Sequence, residues 1–286
     1  MKNFLVLTKN EIVVFVLISG VLGYALGFEG GPILLAPILA CLATLYFMSA
    51  GSFAINQAQE SAIDVLMPRT KNRPIPMGQI SRRSAYTIGF SFLILGTLCS
   101  LFLNLRVTTV SWLTVFLYNG VYTMYLKKRL SFGAVPGALP GALPVVIGYA
   151  ASSGVVFTSE CLYAFLIMFL WQMPHFWSLA IKYKDDYQKG GIPVLPLSIG
   201  THATLFHIGL YVFAYLGLAL ASPWLTSTHY AYLYLVLPFV LMVSIGFVKY
   251  YRSQAQRGWL SFFLWTNFSM LAFLIAPVID KWQQIF

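Results

Sequence analysis

Residues 33–78 read ILLAPILACLATLYFMSAGSFAINQAQESAIDVLMPRTKNRPIPMG, an apolar run that ends in the most polar passage of the chain. The apolar part, 33–54, has the length that a helix needs to cross a bilayer core of roughly 30 Å. The polar part, 56–78, combines carboxylates with a tight basic cluster. This stretch therefore predicts a membrane-spanning helix that presents a polar functional segment at one end.

The same apolar pattern recurs along the whole chain. Of its 286 residues, 59% are hydrophobic and 9% are charged, which excludes an ordinary soluble globular protein. The gaps between the apolar runs are too short for a separate folded domain. We therefore predict one all-α integral membrane domain over 1–286 with nine transmembrane helices. The predicted spans are 12–27, 33–54, 85–103, 107–126, 133–151, 161–181, 204–221, 231–248 and 260–279.

The distribution of the basic residues predicts the topology. The net charge is +10, and nine spans place every lysine and arginine except Arg106 and Lys281 on the side of the N-terminus. Because cytoplasmic loops are enriched in these residues, we predict a cytoplasmic N-terminus and a C-terminus outside. The membrane topology then explains the excess of lysine and arginine. We therefore expect the chain to contact the lipid bilayer and not to bind nucleic acid.

Asn56, Glu60 and Asp64 in the polar segment are spaced i, i+4 and i+8. On a helix this spacing keeps three side chains on roughly one face. Pro68 disfavours helix at the residue before it, so the helix should end near Leu66. The basic residues that follow are Arg69, Lys71 and Arg73.

A second polar concentration lies in residues 171–202, WQMPHFWSLAIKYKDDYQKGGIPVLPLSIGTH, on the same predicted side. It holds Lys182 and Asp186, and His175 lies about two turns inside the predicted span. An ionisable group at that depth suggests a function, and a neutral histidine that is hydrogen-bonded within the bundle is the ordinary alternative. For both acidic patches the alternative is surface ion pairing, worth about 0–1 kcal/mol per exposed pair.

Acidic and basic side chains in this arrangement can assemble a magnesium ion with a diphosphate. Mg²⁺ typically bridges one or two carboxylates to substrate phosphates, while arginine and lysine bind the phosphate oxygens. Such a site stabilises a departing diphosphate and leaves a carbocation in a dry apolar chamber. A long apolar chain on the diphosphate would explain why the site lies in a membrane.

Two further segments are candidates for cavity walls. Tyr118, Asn119 and Tyr122 lie in the fourth predicted span, where the tyrosines belong to an aromatic stripe that could also form an interfacial belt. Residues 133–151 are rich in glycine, proline and alanine. Such residues predict close helix packing, a cavity wall, or both.

The motifs NxxxExxxD followed by MPRTKNRPIP, and PHFW…KYKDDYxxGGIPVLP, closely resemble those of the protoheme IX farnesyltransferases (heme O synthases) of the UbiA membrane prenyltransferase superfamily. The resemblance covers nearly the whole chain, including GALPGALPVVIGYAA. It implies a UbiA-type fold with nine helices around a central cavity. It also implies that the farnesyl group of farnesyl diphosphate is transferred to a vinyl group of heme b, a substrate rather than a permanent cofactor. The product, heme O, serves heme–copper terminal oxidases.

The resemblance further implies roles for single residues. Asn56, Glu60, Asp64 and Asp186 are the implied catalytic residues and Mg²⁺ ligands, and Glu60 stands where aspartate is common. His175 replaces the leading aspartate of the second motif in quinone-type relatives, and a heme-binding role for it is the corresponding hypothesis. The implied diphosphate-binding residues are Arg69, Lys71, Arg73 and Lys182.

The implied location is the cell inner membrane, with the active site facing the cytoplasm and with heme A synthase or oxidase assembly factors as further partners. Two alternatives stay open. A UbiA-type aromatic prenyltransferase of quinone biosynthesis is disfavoured by His175 and by the loss of acids around Lys182. A secondary transporter is disfavoured because the acids lie at one membrane face and no inverted repeat is visible.

Overall fold

The computed structural model describes residues 2–226, 228–230 and 232–285. Within these residues the regular secondary structure is helical and no β-strand occurs. The predicted all-α architecture is therefore confirmed, while the single domain 1–286 stays a prediction. Outside the described residues lie Met1, Ser227, Ala231 (the first residue of the predicted span 231–248) and Phe286.

Eight of the described helices are long and apolar enough to cross a membrane. They are Asn10–Gly27, Leu35–Asp64, Arg82–Leu103, Ala134–Ser153, Ser159–Lys182, Gly200–Leu220, Tyr232–Arg252 and Trp259–Ile285, and they correspond to eight of the nine predicted spans. The chain is thus a multi-pass membrane protein. The α-helices in chain order are α1 (Lys2–Leu7), α2 (Asn10–Gly27), α3 (Leu35–Asp64), α4 (Arg82–Leu103), α5 (Leu105–Val115), α6 (Ala134–Ser153), α7 (Ser159–Lys182), α8 (Lys184–Lys189), α9 (Leu195–Ser198), α10 (Gly200–Leu220), α11 (Ser222–Leu225), α12 (Tyr232–Arg252) and α13 (Trp259–Ile285).

The remaining predicted span, 107–126, differs in kind from the others. Here α5 ends at Val115 and passes directly into a π-helix, Phe116–Thr123. Neither segment alone has the length of a spanning α-helix, so the count of nine and the orientation of the termini stay predictions. A π-helix has i→i+5 hydrogen bonds, is rare, and is frequently found at functional sites. The π-helix therefore indicates that this part of the bundle is a candidate functional region.

Small residues bring α2 and α6 into close contact. A methyl group at Gly148 of α6 would overlap the carbonyl oxygen of Gly20 on α2, and one at Gly23 would overlap that of Val145. On the same helix, Pro144 borders a central cavity. The glycine- and proline-rich segment therefore serves both predicted purposes, close packing and a cavity wall.

The N-terminal helix α1 lies against the polar end of α3. Leu7 is fully buried and packs in a cluster with Ala58. The Gln57 amide donates hydrogen bonds to the carbonyl oxygens of Val6 at 2.6 Å and Leu7 at 3.1 Å. These contacts fix the turn before α2, in which Lys9 adopts a left-handed backbone with φ 50°.

At the other end of the bundle, α13 is joined to α2 and α7. Trp282 Nε1 donates to the carbonyl oxygen of Ala25 at 2.8 Å. Lys281 Nζ donates to the carbonyl oxygen of Leu26 at 2.8 Å and pairs with the Glu160 carboxylate at 2.9 Å. These bonds, together called the α2–α13 latch here, close the bundle around its cavity.

Candidate active site

A cavity of about 780 Å³ occupies the interior of the bundle. Its walls come from α2, α3, α5, α6, α7, α8 and α13, from the π-helix, from the loop after α3 and from the segments before α6 and α9. Most of the wall is apolar, but one end carries Lys9, Glu60, Asp64, Arg73 and Lys127. The cavity thus combines a charged end with an apolar body, which suits a ligand with an anionic head and a long apolar tail.

The charged end is built on α3. Asn56, Glu60 and Asp64 are all buried, with 1%, 5% and 0% of their surfaces exposed. They share one helix face because α3 continues unbroken to Asp64 rather than ending with its apolar part. Three oxygen donors are therefore held at a fixed spacing.

Each of these three residues is paired with a basic side chain from a different segment of the chain. The basic groups come from the turn before α2, from the loop after α3 and from the turn after the π-helix. Buried carboxylates are stable only when paired in this way. The pairs are Lys9 Nζ with Asn56 Oδ1 (2.7 Å), Lys127 Nζ with Glu60 Oε1 (2.5 Å), and Arg73 Nη1 with both carboxylate oxygens of Asp64 (2.9 and 2.8 Å).

Of these three basic residues, only Arg73 was predicted from the sequence as a site residue. Lys127 directly follows a predicted span and Lys9 shortly precedes another, and in the sequence both count only toward topology. Their position beside a span is the sole signal that the sequence carries for them. Their convergence on α3 depends on tertiary packing, so sequence reasoning missed both.

The two lysines differ in how firmly they hold their charge. Burial, and secondly the positive charge of Arg73, lower the pKa of Lys9 from 10.5 to about 7. Burial also acts to lower the pKa of Lys127, but the Glu60 carboxylate outweighs it and the pKa of Lys127 is raised. Lys127 therefore keeps its charge more firmly than Lys9, and a further anion that binds beside Lys9 would raise the pKa of Lys9.

The oxygen donors of this end fit a magnesium ion that is shared with a phosphate ligand. Mg²⁺ prefers oxygen ligands and is usually held by one or two carboxylates together with substrate phosphates. Glu60 and Asp64 border the cavity and supply two carboxylates, whereas Asn56, whose Oδ1 accepts a hydrogen bond from Lys9, lies outside the wall that the described residues form. Among the described residues, no group of three or more His, Cys, Asp or Glu side chains could hold a metal ion alone. The donor set therefore suits a bridging ion.

The other members of the predicted basic cluster lie apart from Arg73. Arg69 is exposed at the cavity edge, where its guanidinium lies 5.6 Å from the ring centroid of Tyr183 and 6.0 Å from that of Tyr187. Lys71 is exposed and, as far as the described residues define the cavity, does not border it. The loop thus directs Arg73 inward, Arg69 toward the segment after α7, and Lys71 to the surface.

The second polar concentration folds differently from the first. The helix α7 ends at Lys182, and the chain continues as α8, which carries Asp186 in a half-exposed position. Tyr187 borders the cavity, whereas the wall formed by the described residues does not include Asp186 or Lys182. Lys182 Nζ lies 3.3 Å from the ring centroid of Trp259. The structure therefore does not bring Lys182 or Asp186 to the charged end.

The π-helix supplies two aromatic rings to the cavity wall. Tyr118 and Tyr122 are stacked with their centroids 6.2 Å apart, and both border the cavity. Asn119 between them is buried and lies outside the cavity wall that the described residues form. Its Nδ2 donates to the carbonyl oxygen of Ser52 at 2.9 Å, and Gln59 Nε2 donates to the Asn119 carbonyl oxygen at 3.2 Å. Asn119 thus fixes the π-helix to α3.

His175 borders the cavity from α7. Its imidazole lies between Trp171 and Phe263, with both ring centroids 4.8 Å away. Its Nδ1 is buried and makes no hydrogen bond to a described residue, although the Asn267 side chain is close enough to interact with the imidazole. A buried imidazole nitrogen without a hydrogen bond is available to a ligand.

Comparisons with known proteins identify the family and the relatives of this chain. The family model of the UbiA prenyltransferase family matches residues 16–267. The protoheme IX farnesyltransferase of Bdellovibrio bacteriovorus is 50% identical over 281 residues, which cover 98% of this chain and 96% of that protein. A protein of the same name from Leptospira biflexa is 35% identical over 96% of this chain and 97% of its own length.

Solved structures share the fold at lower sequence identity. A digeranylgeranylglyceryl phosphate synthase superposes with a TM-score of 0.78 at 20% identity, covering 97% of this chain and 98% of that chain. A UbiA homologue from Archaeoglobus fulgidus bound to DMAPP and Mg²⁺ superposes with a TM-score of 0.65 at 17% identity, covering 98% and 99%. From the family match and the full-length relatives it follows that the chain belongs to the UbiA prenyltransferase family.

Proposed function

We propose that this chain transfers the farnesyl group of farnesyl diphosphate to a vinyl group of heme b, giving heme O and diphosphate. The carbon–oxygen bond of the allylic diphosphate breaks, and its electron pair leaves with the diphosphate. The vinyl π electrons then form a bond to the farnesyl carbon. Water adds to the cation that this leaves on the heme side chain and loses a proton. The substrate pair follows the name of a relative that is 50% identical over 98% of the chain.

The observation that carries the proposal is the charged end of an otherwise apolar cavity. There the buried carboxylates of Glu60 and Asp64 lie beside three basic groups in a space that opens into apolar walls. A carboxylate set alone would bind a metal, and a basic set alone would bind any anion. Their combination suits a diphosphate that arrives with a divalent cation, and the apolar body suits its prenyl chain.

Lys9, Arg73 and Lys127 are the proposed diphosphate ligands at this end, with Arg69 at the cavity edge. Their ammonium and guanidinium groups donate hydrogen bonds to phosphate oxygens as negative charge develops on the leaving group. Mg²⁺, held by Glu60, Asp64 and Asn56, would supply additional charge stabilisation for the departing diphosphate when bound. Asp186 on α8 stays a predicted Mg²⁺ ligand, although in this structure it lies outside the cavity wall that the described residues form, and Lys71 adds positive charge at the surface.

The apolar body protects the allylic cation from water. Tyr118 and Tyr122 present aromatic rings at its wall, and such rings attract a cation within about 6 Å. Exclusion of water prevents hydrolysis of the cation before the vinyl group attacks it. His175 is the proposed heme-binding residue, because the buried Nδ1 without a hydrogen bond can act as an axial ligand.

The proposed location is the cell inner membrane, with the charged end of the cavity facing the cytoplasm. This orientation follows from the predicted positive-inside distribution of Lys and Arg. Heme A synthase and oxidase assembly factors are proposed partners, because they would use the product. Membership in a prenyltransferase family, together with acids placed at one end of the cavity, argues against a transporter.

The test is to incubate membranes that contain the chain with farnesyl diphosphate, Mg²⁺ and either heme b or 4-hydroxybenzoate. We expect mass spectrometry to find heme O formed from heme b. Farnesylation of the benzoate alone would replace this proposal with an aromatic prenyltransferase of quinone biosynthesis. Membranes without the chain serve as the control.

A further inference from the structure

Lys182 differs from the basic residues of the charged end, because it is exposed at the end of α7 and lies outside the cavity wall that the described residues form. Lys9, Arg73 and Lys127 each donate a hydrogen bond to a side-chain oxygen of α3. Lys182, in contrast, has no carboxylate partner among the described residues. Its ammonium instead lies 3.3 Å from the ring centroid of Trp259 and 5.5 Å from that of Tyr183. Its ammonium lies against aromatic rings, and no carboxylate of the described residues forms an ion pair with it.

The Trp259 ring connects Lys182 with the cavity through a row of aromatic side chains. Trp259 and Phe263, one turn apart on α13, are stacked with centroids 4.8 Å apart and planes at 21°. Phe263 borders the cavity and lies 4.8 Å from the imidazole of His175. Trp259 Nε1 donates to the carbonyl oxygen of Ser178 at 3.2 Å, which fixes the indole against α7.

The spacing along α7 adds a distance to this row. His175 and Lys182 are seven residues apart on one continuous helix, so they lie on the same side about two turns and roughly 10 Å apart. A flat ligand that meets the imidazole at its centre and carries carboxylates at one edge would present them near Lys182. Heme b is such a ligand, with iron at the centre of the ring and both propionates at one edge.

We propose that Lys182, positioned by Trp259, binds a propionate carboxylate of the heme acceptor. This inference rests on the proposed function and assigns Lys182 to the acceptor rather than to the diphosphate. The ring centroid of Tyr183 lies 5.5 Å from the Lys182 ammonium and 5.6 Å from the Arg69 guanidinium. Because the vinyl groups lie on the ring edge away from the propionates, this pairing directs a vinyl group into the cavity.

The test compares heme b with its dimethyl ester, in which both propionates are uncharged. Each is titrated into the purified full-length protein in detergent, and binding is followed by heme absorbance. For Lys182→Gln we expect about tenfold weaker binding of heme b, because a carboxylate loses its charged partner. Binding of the dimethyl ester and of farnesyl thiodiphosphate should be unchanged. Lys182→Arg should restore heme affinity, and Lys189→Gln, an exposed charge in α8, is the matched control.

Three results would overturn the inference. An equal loss for heme b and its ester would show that Lys182 only supports the packing of Trp259. A loss confined to farnesyl thiodiphosphate would return Lys182 to the diphosphate site. Equal affinity of the unmodified protein for heme b and its ester would exclude propionate recognition. If the unmodified protein binds neither heme, the proposed function itself fails, which is a distinct outcome.

Discussion

At the end of α3, Glu60 and Asp64 are buried and each meets a basic side chain, while at the end of α7, Asp186 is half-exposed and Lys182 lies over an indole ring. In the sequence both segments show acids and bases at the end of an apolar run. The two segments differ in where the helix ends. The helix α3 is 30 residues long and includes Asn56, Glu60 and Asp64 on one face, whereas α7 ends at Lys182. In this chain the acid–base pattern forms a buried site at α3, which carries its acids within the helix, and not at α7, which ends before Asp186.

The largest expected difference between the two ends is catalytic. Asp64→Asn should lower the rate of heme O formation by about 100- to 1,000-fold, because it removes a buried carboxylate from the charged end. Asp186→Asn should lower it by less than about tenfold, because Asp186 is half-exposed beside the cavity. Heme O is measured by mass spectrometry at saturating farnesyl diphosphate and limiting Mg²⁺.

Equal losses in these two variants would erase the distinction between the ends of α3 and α7. Full turnover of both Glu60→Gln and Asp64→Asn at limiting Mg²⁺ would contradict the metal assignment. Each variant is first checked for a monodisperse elution profile, since Asp64 also holds Arg73.

The second expected effect concerns a cation that competes with the metal. Lys127→Met removes the ammonium that pairs with Glu60, so binding of farnesyl thiodiphosphate should weaken by about 30-fold or more. Binding of Mn²⁺ alone should not weaken, because its carboxylate ligand loses a competitor. Calorimetry measures both constants, and Lys128→Met, which changes the exposed neighbour, is the control. Weaker Mn²⁺ binding in Lys127→Met would mean that Lys127 only supports the fold.

The third effect is a pH dependence. Lys9 has a pKa of about 7, below its ordinary 10.5, and a bound diphosphate favours its charged form. Binding therefore takes up a proton above pH 7, so affinity is full below pH 7 and falls as the pH rises. Between pH 7 and about pH 8.5 we expect roughly tenfold weaker binding of farnesyl thiodiphosphate. Ionisation of the ligand is common to all variants, so Lys9→Met should lack this decrease. Parallel pH profiles would count against a role for Lys9.

The smallest effect tests the support of the aromatic wall. Asn119→Ala removes the hydrogen bonds that its side chain makes to α3 at Ser52, so the free energy of unfolding should fall by about 1–3 kcal/mol. Turnover should fall a few-fold, because Tyr118 and Tyr122 lose their support. Thermal unfolding in detergent measures the first quantity. Asn72→Ala in the exposed loop is the control, and an equal change in both variants would deny Asn119 this role.

The sequence predicted those features that depend on local pattern. Apolar run lengths identify eight membrane-length helices, and the i, i+4, i+8 spacing identifies the donor face of α3. The helix ends at Asp64, two residues before the predicted Leu66, because the turn that leads to Pro68 begins earlier. Local pattern is sufficient in these cases because each depends on one helix only.

Features that depend on packing were not accessible from the sequence. Lys9 and Lys127 reach α3 only when segments distant in sequence meet. The fourth predicted span is apolar enough for an ordinary membrane helix. The structure instead has a π-helix there, which Asn119 bonds to α3, and the length of an apolar run cannot reveal it. Lys182 resembles a diphosphate ligand in the sequence, and only the position of Trp259 shows its different surroundings.

The α2–α13 latch has a consequence for biosynthesis. The bond between Trp282 and Ala25 joins residues that are 257 positions apart. At a translation rate of about 5–20 residues per second, α2 emerges roughly ten to fifty seconds before its partner exists. During that interval the nascent chain lacks the α13 wall that carries Phe263 and Asn267. The cavity is therefore complete only after α13 has been synthesised, so a nascent chain that lacks α13 cannot shield an allylic cation from water.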